Sequence, residues 1–177
     1  MYLTEFTMRS YRIVLFTLLL GITLLPSAFA QESSAELPSA DISDMNGKIV
    51  NTAGIVHPGS NMLILTWKSD VKSSLLCLDA IALLKDTIAN STKTKVIMIN
   101  FDTAGDAKNV EKTLKEHQWT FDNYLDPNED FKRAAAISYL PVILIVDQNN
   151  KIVYRKAAFY LGDEQLVLQE LKKLSAR

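Results

Sequence analysis

The sequence predicts an α/β domain with a central mixed β-sheet flanked by helices and an N-terminal β-hairpin extension. Three observations carry this. First, "NMLILTW" (61–67), "KVIMINF" (95–101) and "PVILIVD" (141–147) are continuous apolar runs of strand length, suited to strands covered on both faces. Second, helix-period segments separate these runs, the alternation that builds parallel crossovers. Third, the last run is followed by the turn "QNN" and by "KIVYRKAAF" (151–159), its expected hairpin partner. Length and composition agree: 177 residues, 48% hydrophobic and 22% charged, suit one compact domain and argue against disorder.

Residues 1–30 read as a signal peptide. Arg9 and Arg12 form a positive leader, Ile13 to Leu25 an uncharged apolar run, and Ala28-Phe29-Ala30 a small-residue cleavage site. The run is shorter than the ~20 residues a spanning helix needs, which favours cleavage after Ala30 over an uncleaved anchor. Glu5 precedes the positive residues, so translation from Met8 is an alternative to Met1. The expectation is an exported protein, periplasmic or secreted, soluble after cleavage and without stable membrane insertion. Residues 31–40, "QESSAELPSA", read as a flexible leader, and 41–177 as the domain.

Within the domain, Asn46-Gly47 marks a tight turn between two short strands. A helix is expected from about Ser73 to Ile88, with Ser73 or Ser74 as its N-cap. Cys77, Ile81, Leu84 and Ile88 lie on one face of it. "DAKNVEKTLKEH" (106–117) reads as a more polar helix. "DPNEDFKRAAAI" reads as a turn leading into a short helix, and "GDEQLVLQELKKL" (162–174) as a closing amphipathic helix. The expected order is β-α-β-α-β-β-α after the hairpin, with two parallel crossovers before a terminal antiparallel pair.

Net charge is −1, with no Lys/Arg block, so no nucleic-acid or anionic-membrane partner is expected. The one cysteine, Cys77, cannot form a disulfide within the chain. His57 and His117 have no metal-ligand spacing to other ligand types, so no metal and no cofactor are expected. A monomer is the default expectation.

The order and spacing resemble the thioredoxin fold, and more narrowly the exported TlpA/ResA-type thiol-disulfide oxidoreductases, over residues 40–174. "DMNGKIVNTAGIVHPGSNMLILTW" is similar to that branch's N-terminal hairpin and first central strand. "FKRAAAISYLPVILIVDQNNKIVYR" is similar to the stretch in which a short helix meets a cis-proline, a strand, an Asp and a turn. "TWKSDVKSSLLCLDAI" aligns without a gap to F-W-A-x-W-C-x-P-C-x-x-E-L. Trp67 then matches the first Trp and Asp70 replaces the second. The two redox cysteines fall on Val71 and Ser74, and Cys77 on the helix glutamate.

Dithiol exchange needs a low-pKa thiolate at a helix N-terminus and a second thiol to resolve the mixed disulfide. Val71 has no nucleophile, and a Ser74 hydroxyl cannot form a disulfide. Cys77 is read either as a buried small hydrophobe or as a monothiol. Ser73 and Ser74 have no visible base for acyl transfer. The resemblance implies a cis bond at Pro141, retained either as part of the fold or as one wall of a peptide groove. That groove would comprise Trp67, Asp70 to Ser74, Tyr139, Leu140 and Pro141. The expected function is a redox-silent module that binds a polypeptide or envelope partner. The alternative is a monothiol oxidoreductase or antioxidant protein using Cys77 with an external resolving thiol, so the question of enzyme activity stays open.

Overall fold

The computed structural model describes residues 35–55 and 59–176. Residues 1–30, expected to be a signal peptide, residues 31–34 and His57 lie outside the described residues. Seven strands form one mixed sheet: β1 (Asp41–Asp44), β2 (Ile49–Asn51), β3 (Met62–Trp67), β4 (Lys95–Asn100), β5 (Asp122–Leu125), β6 (Val142–Val146) and β7 (Ile152–Ala157). Their order across the sheet is β2-β1-β5-β4-β3-β6-β7. The helices are α1 (Lys72–Leu83), α2 (Lys85–Thr92), α3 (Ala107–His117), α4 (Asp130–Ala134) and α5 (Asp163–Ser175). No helix among the described residues is long and apolar enough to cross a membrane.

The three apolar runs are the centre of the sheet, and alternation divides each between two cores. Leu63, Leu65 and Trp67 of β3, Met98 of β4, and Ile143 and Ile145 of β6 face α1, α2, α3 and α5. Cys77, Ile81, Ile88, Val110, Val167 and Leu171 of those helices meet them there. Met62, Ile64, Ile97, Ile99, Val142, Leu144 and Val146 face the other way, onto Leu37, Ile55, Phe101 and Phe131. The registers lock this arrangement: Leu65 sits opposite Met98 in the parallel β3–β4 pair and opposite Ile143 in the antiparallel β3–β6 pair. A one-residue slip would turn every one of these side chains to the wrong face.

Two turns share one construction. In "DMNGK" Asp44 Oδ1 accepts from the N–H of Asn46 (2.8 Å) and of Lys48 (2.9 Å). In "DQNNK" Asp147 Oδ1 accepts from the N–H of Asn149 (2.9 Å) and of Lys151 (2.9 Å). Each turn then needs one left-handed residue, Gly47 (φ 80°) or Asn150 (φ 63°), the residue types that tolerate that conformation. Asn46 is not left-handed, so the hairpin loop is a longer one built on Asp44 rather than a two-residue Asn-Gly turn.

Four expectations are corrected. The second parallel crossover ends on β5, "DNYL", and β6 pairs antiparallel with β3. β5 is short and begins with two polar residues, so it carries no apolar-run signal. The helix expected from Ser73 to Ile88 breaks at Leu84 (φ −97°, ψ 2°), with no glycine or proline to mark it. Ile81 and Ile88, on either side of the break, are both fully buried. The helix begins at Lys72 behind Val71, not at a serine cap. Finally, residues 35–40 of the leader are tied down. Leu37 and Ala40 are buried, Leu37 N–H donates to Asn150 O (2.9 Å), and Ile152 N–H donates to Ala35 O (2.8 Å). Burying Leu37 under the sheet offsets the entropy cost of ordering this segment.

Candidate active-site turn and facing loops

β3 delivers the chain into the turn 68–71, and α1 starts immediately after it. Thioredoxin-type chemistry would sit here. The turn is held from below by Asp102, just past β4. Its carboxylate accepts from Ser69 N–H (2.8 Å), Ser69 Oγ (3.1 Å) and Asn100 Nδ2 (2.6 Å). Val71 closes the turn through its N–H to Lys68 O (3.2 Å) and adopts an extended conformation as N-cap (φ −100°, ψ 98°). Its side chain has no oxygen, so the helix start has no side-chain cap. Asp70 is exposed and does not supply one.

Two loops face this turn. The Leu140–Pro141 peptide is cis. Ser73 Oγ donates to Leu140 O (3.2 Å), fastening the first turn of α1 to the segment before Pro141. Ala158 N–H donates to Pro141 O (3.0 Å), which brings the loop 158–162 alongside. The result is an exposed apolar and aromatic rim, with Tyr139 78%, Tyr160 72% and Leu161 74% exposed.

The residues singled out by sequence separate into surface and interior. Tyr139 lies on the rim, Leu140 is half-buried and Pro141 is buried. Trp67 does not line a groove. It is fully buried, with Nε1 donating to Asn123 Oδ1 (2.9 Å) and its ring edge-on to Trp119 at 5.4 Å. The apolar run carries Trp67 inward because β3 is covered on both faces. Ser74 is also fully buried, and its hydroxyl has no hydrogen-bond partner. Cys77 is 1% exposed among Leu78, Ile81 and Trp67 in the larger core. Burial, reinforced by the charges of Asp163 and Glu164, pushes its thiol up from 9.0 to about 12.

Several participants carried no readable signal. Tyr160 and Leu161 lay unassigned between a strand and a helix. Their only mark is that they are large apolar residues in a connecting segment. Asp79 accepts at one oxygen from both Trp119 Nε1 (2.9 Å) and His117 Nδ1 (2.8 Å), while the His117 ring stacks on Trp119 at 4.5 Å. His117 thus has a specific partner on α1 in addition to its place at the end of α3. A cleft of about 330 Å³ lined by Ser69, Asp70, Leu75, Lys112 and His117 opens beside the turn. A larger one, about 510 Å³, lies at the other end of β3 around Asn61, Thr92, Asp147 and Ser175, beside the 147–151 turn. Among the described residues no group of three His, Cys, Asp or Glu side chains could hold a metal ion.

Comparison with known proteins agrees with this architecture. The profile of the family described as Thioredoxin-like matches residues 59–152, more than half of the chain. The solution structure of an uncharacterized thioredoxin-like protein from Porphyromonas gingivalis is 29% identical, with a TM-score of 0.71 over 79% of this chain and 92% of that one. The thioredoxin domain of a thiol-disulfide oxidoreductase from Bacteroides vulgatus is 17% identical, with a TM-score of 0.64 over 80% of this chain and 96% of its own. StoA from Bacillus subtilis is 15% identical, with a TM-score of 0.59 over 75% of this chain and 97% of its own. At these last two identities the likeness is one of fold. No curated protein matches the sequence. With a thioredoxin-like profile over its central half, this sheet order and a cis-proline facing the first turn of α1, the chain belongs to the thioredoxin-like family.

Proposed function

We propose that this chain is a redox-silent member of its family, exported to the cell envelope, where it binds a polypeptide partner across the rim of Tyr139, Leu140, Tyr160 and Leu161. One observation carries the reading. The two positions that need thiols hold Val71 and Ser74, while the single thiol lies one turn deeper, buried and with its pKa raised to about 12. A thiolate there is scarce and out of reach, so neither attack on a disulfide nor resolution of a mixed one is available. Three large, exposed apolar or aromatic side chains on the two segments joined at Pro141 and Ala158 support a retained binding surface, since exposed apolar groups of this size are a usual mark of a protein contact. Tyrosines add a large contact area at low entropic cost.

The test is direct. Expressed with its own leader, the protein should be recovered from the envelope fraction starting at Gln31, and it should not catalyse insulin disulfide reduction by dithiothreitol. Cross-linking from a photoreactive residue at position 161 should capture an envelope polypeptide, and Tyr139→Ser/Leu161→Ser should abolish that capture. Reductase activity that vanishes in Cys77→Ala would replace this reading with the monothiol one.

A further inference from the structure

Sulfur chemistry in this chain is not confined to Cys77. Three methionines fall among the described residues. Met62 and Met98 are buried in the two cores, whereas Met45, in the turn between β1 and β2, is 41% exposed. Its sulfur has a built partner. Asp44 pairs with Tyr124 in the antiparallel β1–β5 ladder, which brings Met45 level with Asn123. Asn123 Nδ2 donates to Met45 Sδ (3.1 Å), and Oδ1 of the same amide accepts from Trp67 Nε1 (2.9 Å). An indole N–H can only donate, so Oδ1 must face Trp67 and Nδ2 must face the sulfur. Asn123 is buried, and it therefore links an exposed thioether to a fully buried tryptophan. That tryptophan ends β3, the strand leading into the turn 68–71. A thioether is a weak acceptor, so a buried donor is left with a poor partner.

We propose that Met45 is an oxidation site for peroxides, and that its sulfoxide is held by Asn123 and sensed at Trp67. In the step, a sulfur lone pair attacks one oxygen of hydrogen peroxide. The S–O bond forms as the O–O bond breaks, and sulfur is oxidised by two electrons. The proton on the transferred oxygen passes to the departing hydroxide, so the peroxide leaves as water. The sulfoxide oxygen is a strong acceptor, and Asn123 Nδ2 exchanges a poor partner for a good one while Oδ1 keeps Trp67. Oxidation disrupts a methionine packed in a core, because it makes an apolar side chain polar. Met45 escapes that cost, since it is exposed and already faces a donor. The site is independent of Cys77 and of the rim, and it ties a surface oxidation to the strand beneath the candidate active-site turn.

The experiment uses the full chain, expressed with its own leader, labelled with ¹⁵N and treated in the native state with hydrogen peroxide. Peptide mass maps the oxidation while the Trp67 indole and Asn123 side-chain amide resonances are followed. Met45 should gain one oxygen at least about tenfold faster than Met62 or Met98, since those two wait for the core to open. Both resonances should move in step with that gain. Methionine sulfoxide reductases for the two sulfoxide epimers, with dithiothreitol as reductant, should return them to their starting positions. Met45→Leu, which keeps an apolar side chain, should abolish the shifts under the same treatment. Oxidation of Met45 no faster than that of the two buried methionines would overturn the site. Oxidation of Met45 that leaves both resonances in place would overturn its coupling to Trp67. Shifts that persist in Met45→Leu, or after the oxygen is removed, would place the damage elsewhere and overturn the proposal.

Discussion

Cys77 offers the sharpest quantitative expectation. At pH 8 a thiol with the ordinary value of 9.0 is about one-tenth ionised, and one at about 12 is about one part in ten thousand ionised. The pKa alone therefore slows attack by a thiol reagent about a thousandfold. Burial at 1% exposure adds a second barrier, since the reagent must wait for α1 to open. Pseudo-first-order labelling with a chromogenic disulfide, native and in guanidinium, measures the combined effect. The native rate should be at least a thousandfold below the denatured one. A native rate within tenfold of the denatured one would refute both the burial and the ionisation argument. The same raised pKa predicts alkaline instability. The folded protein holds a proton that the unfolded chain releases, so stability is fully present below pH 9 and is lost as pH rises toward 12. The loss is about 1.4 kcal/mol per pH unit and about 4 kcal/mol in all. Tyr124, Tyr154 and Lys95, whose values are also raised, add losses of the same sign. Comparison with Cys77→Ala isolates the thiol: that variant should cost about 1–2 kcal/mol at pH 7 and show a flatter alkaline decline. Cys77→Ser should cost at least as much at pH 7, because it places a hydroxyl in an apolar site. Equal alkaline slopes for wild type and Cys77→Ala would refute the ionisation argument.

Two further expectations concern the frame around the turn. Asp79→Ala removes the acceptor of the buried Trp119 indole and of His117, and should cost about 1–3 kcal/mol in urea unfolding, whereas Asp79→Asn, which keeps an acceptor, should cost less. A cost for Asp79→Ala below about 0.5 kcal/mol, the usual spread of surface substitutions, would show that these bonds add little. Val71→Cys/Ser74→Cys should form a disulfide and gain dithiothreitol-dependent insulin reduction that neither single variant shows. Two thiols that stay free under oxidising buffer would show that these positions are not the dithiol pair.

The sequence by itself determined the centre of the fold. β3, β4 and β6 are continuous apolar runs because both faces of each are covered, and that physical demand is written residue by residue. The stripe Cys77, Ile81, Leu84, Ile88 likewise places the thiol against the sheet by helical spacing alone. The loss of both dithiol cysteines was also legible, because one residue type either is or is not at a position. The tertiary structure alone decided the rest. β5 exists because the edge of β4 and the hairpin strand β1 both require a partner, a demand its own four residues do not encode. Trp67 moved from groove to core because strand register sets the face a side chain takes, and Asn123, far along the chain, supplies the hydrogen bond that makes its burial tolerable. Tyr160 and Leu161 joined the rim because Pro141 and Ala158 are hydrogen-bonded across two loops. Local periodicity reports burial and helical phase. Contacts between segments distant in sequence are set only when the sheet closes, and the candidate site is made almost entirely of such contacts.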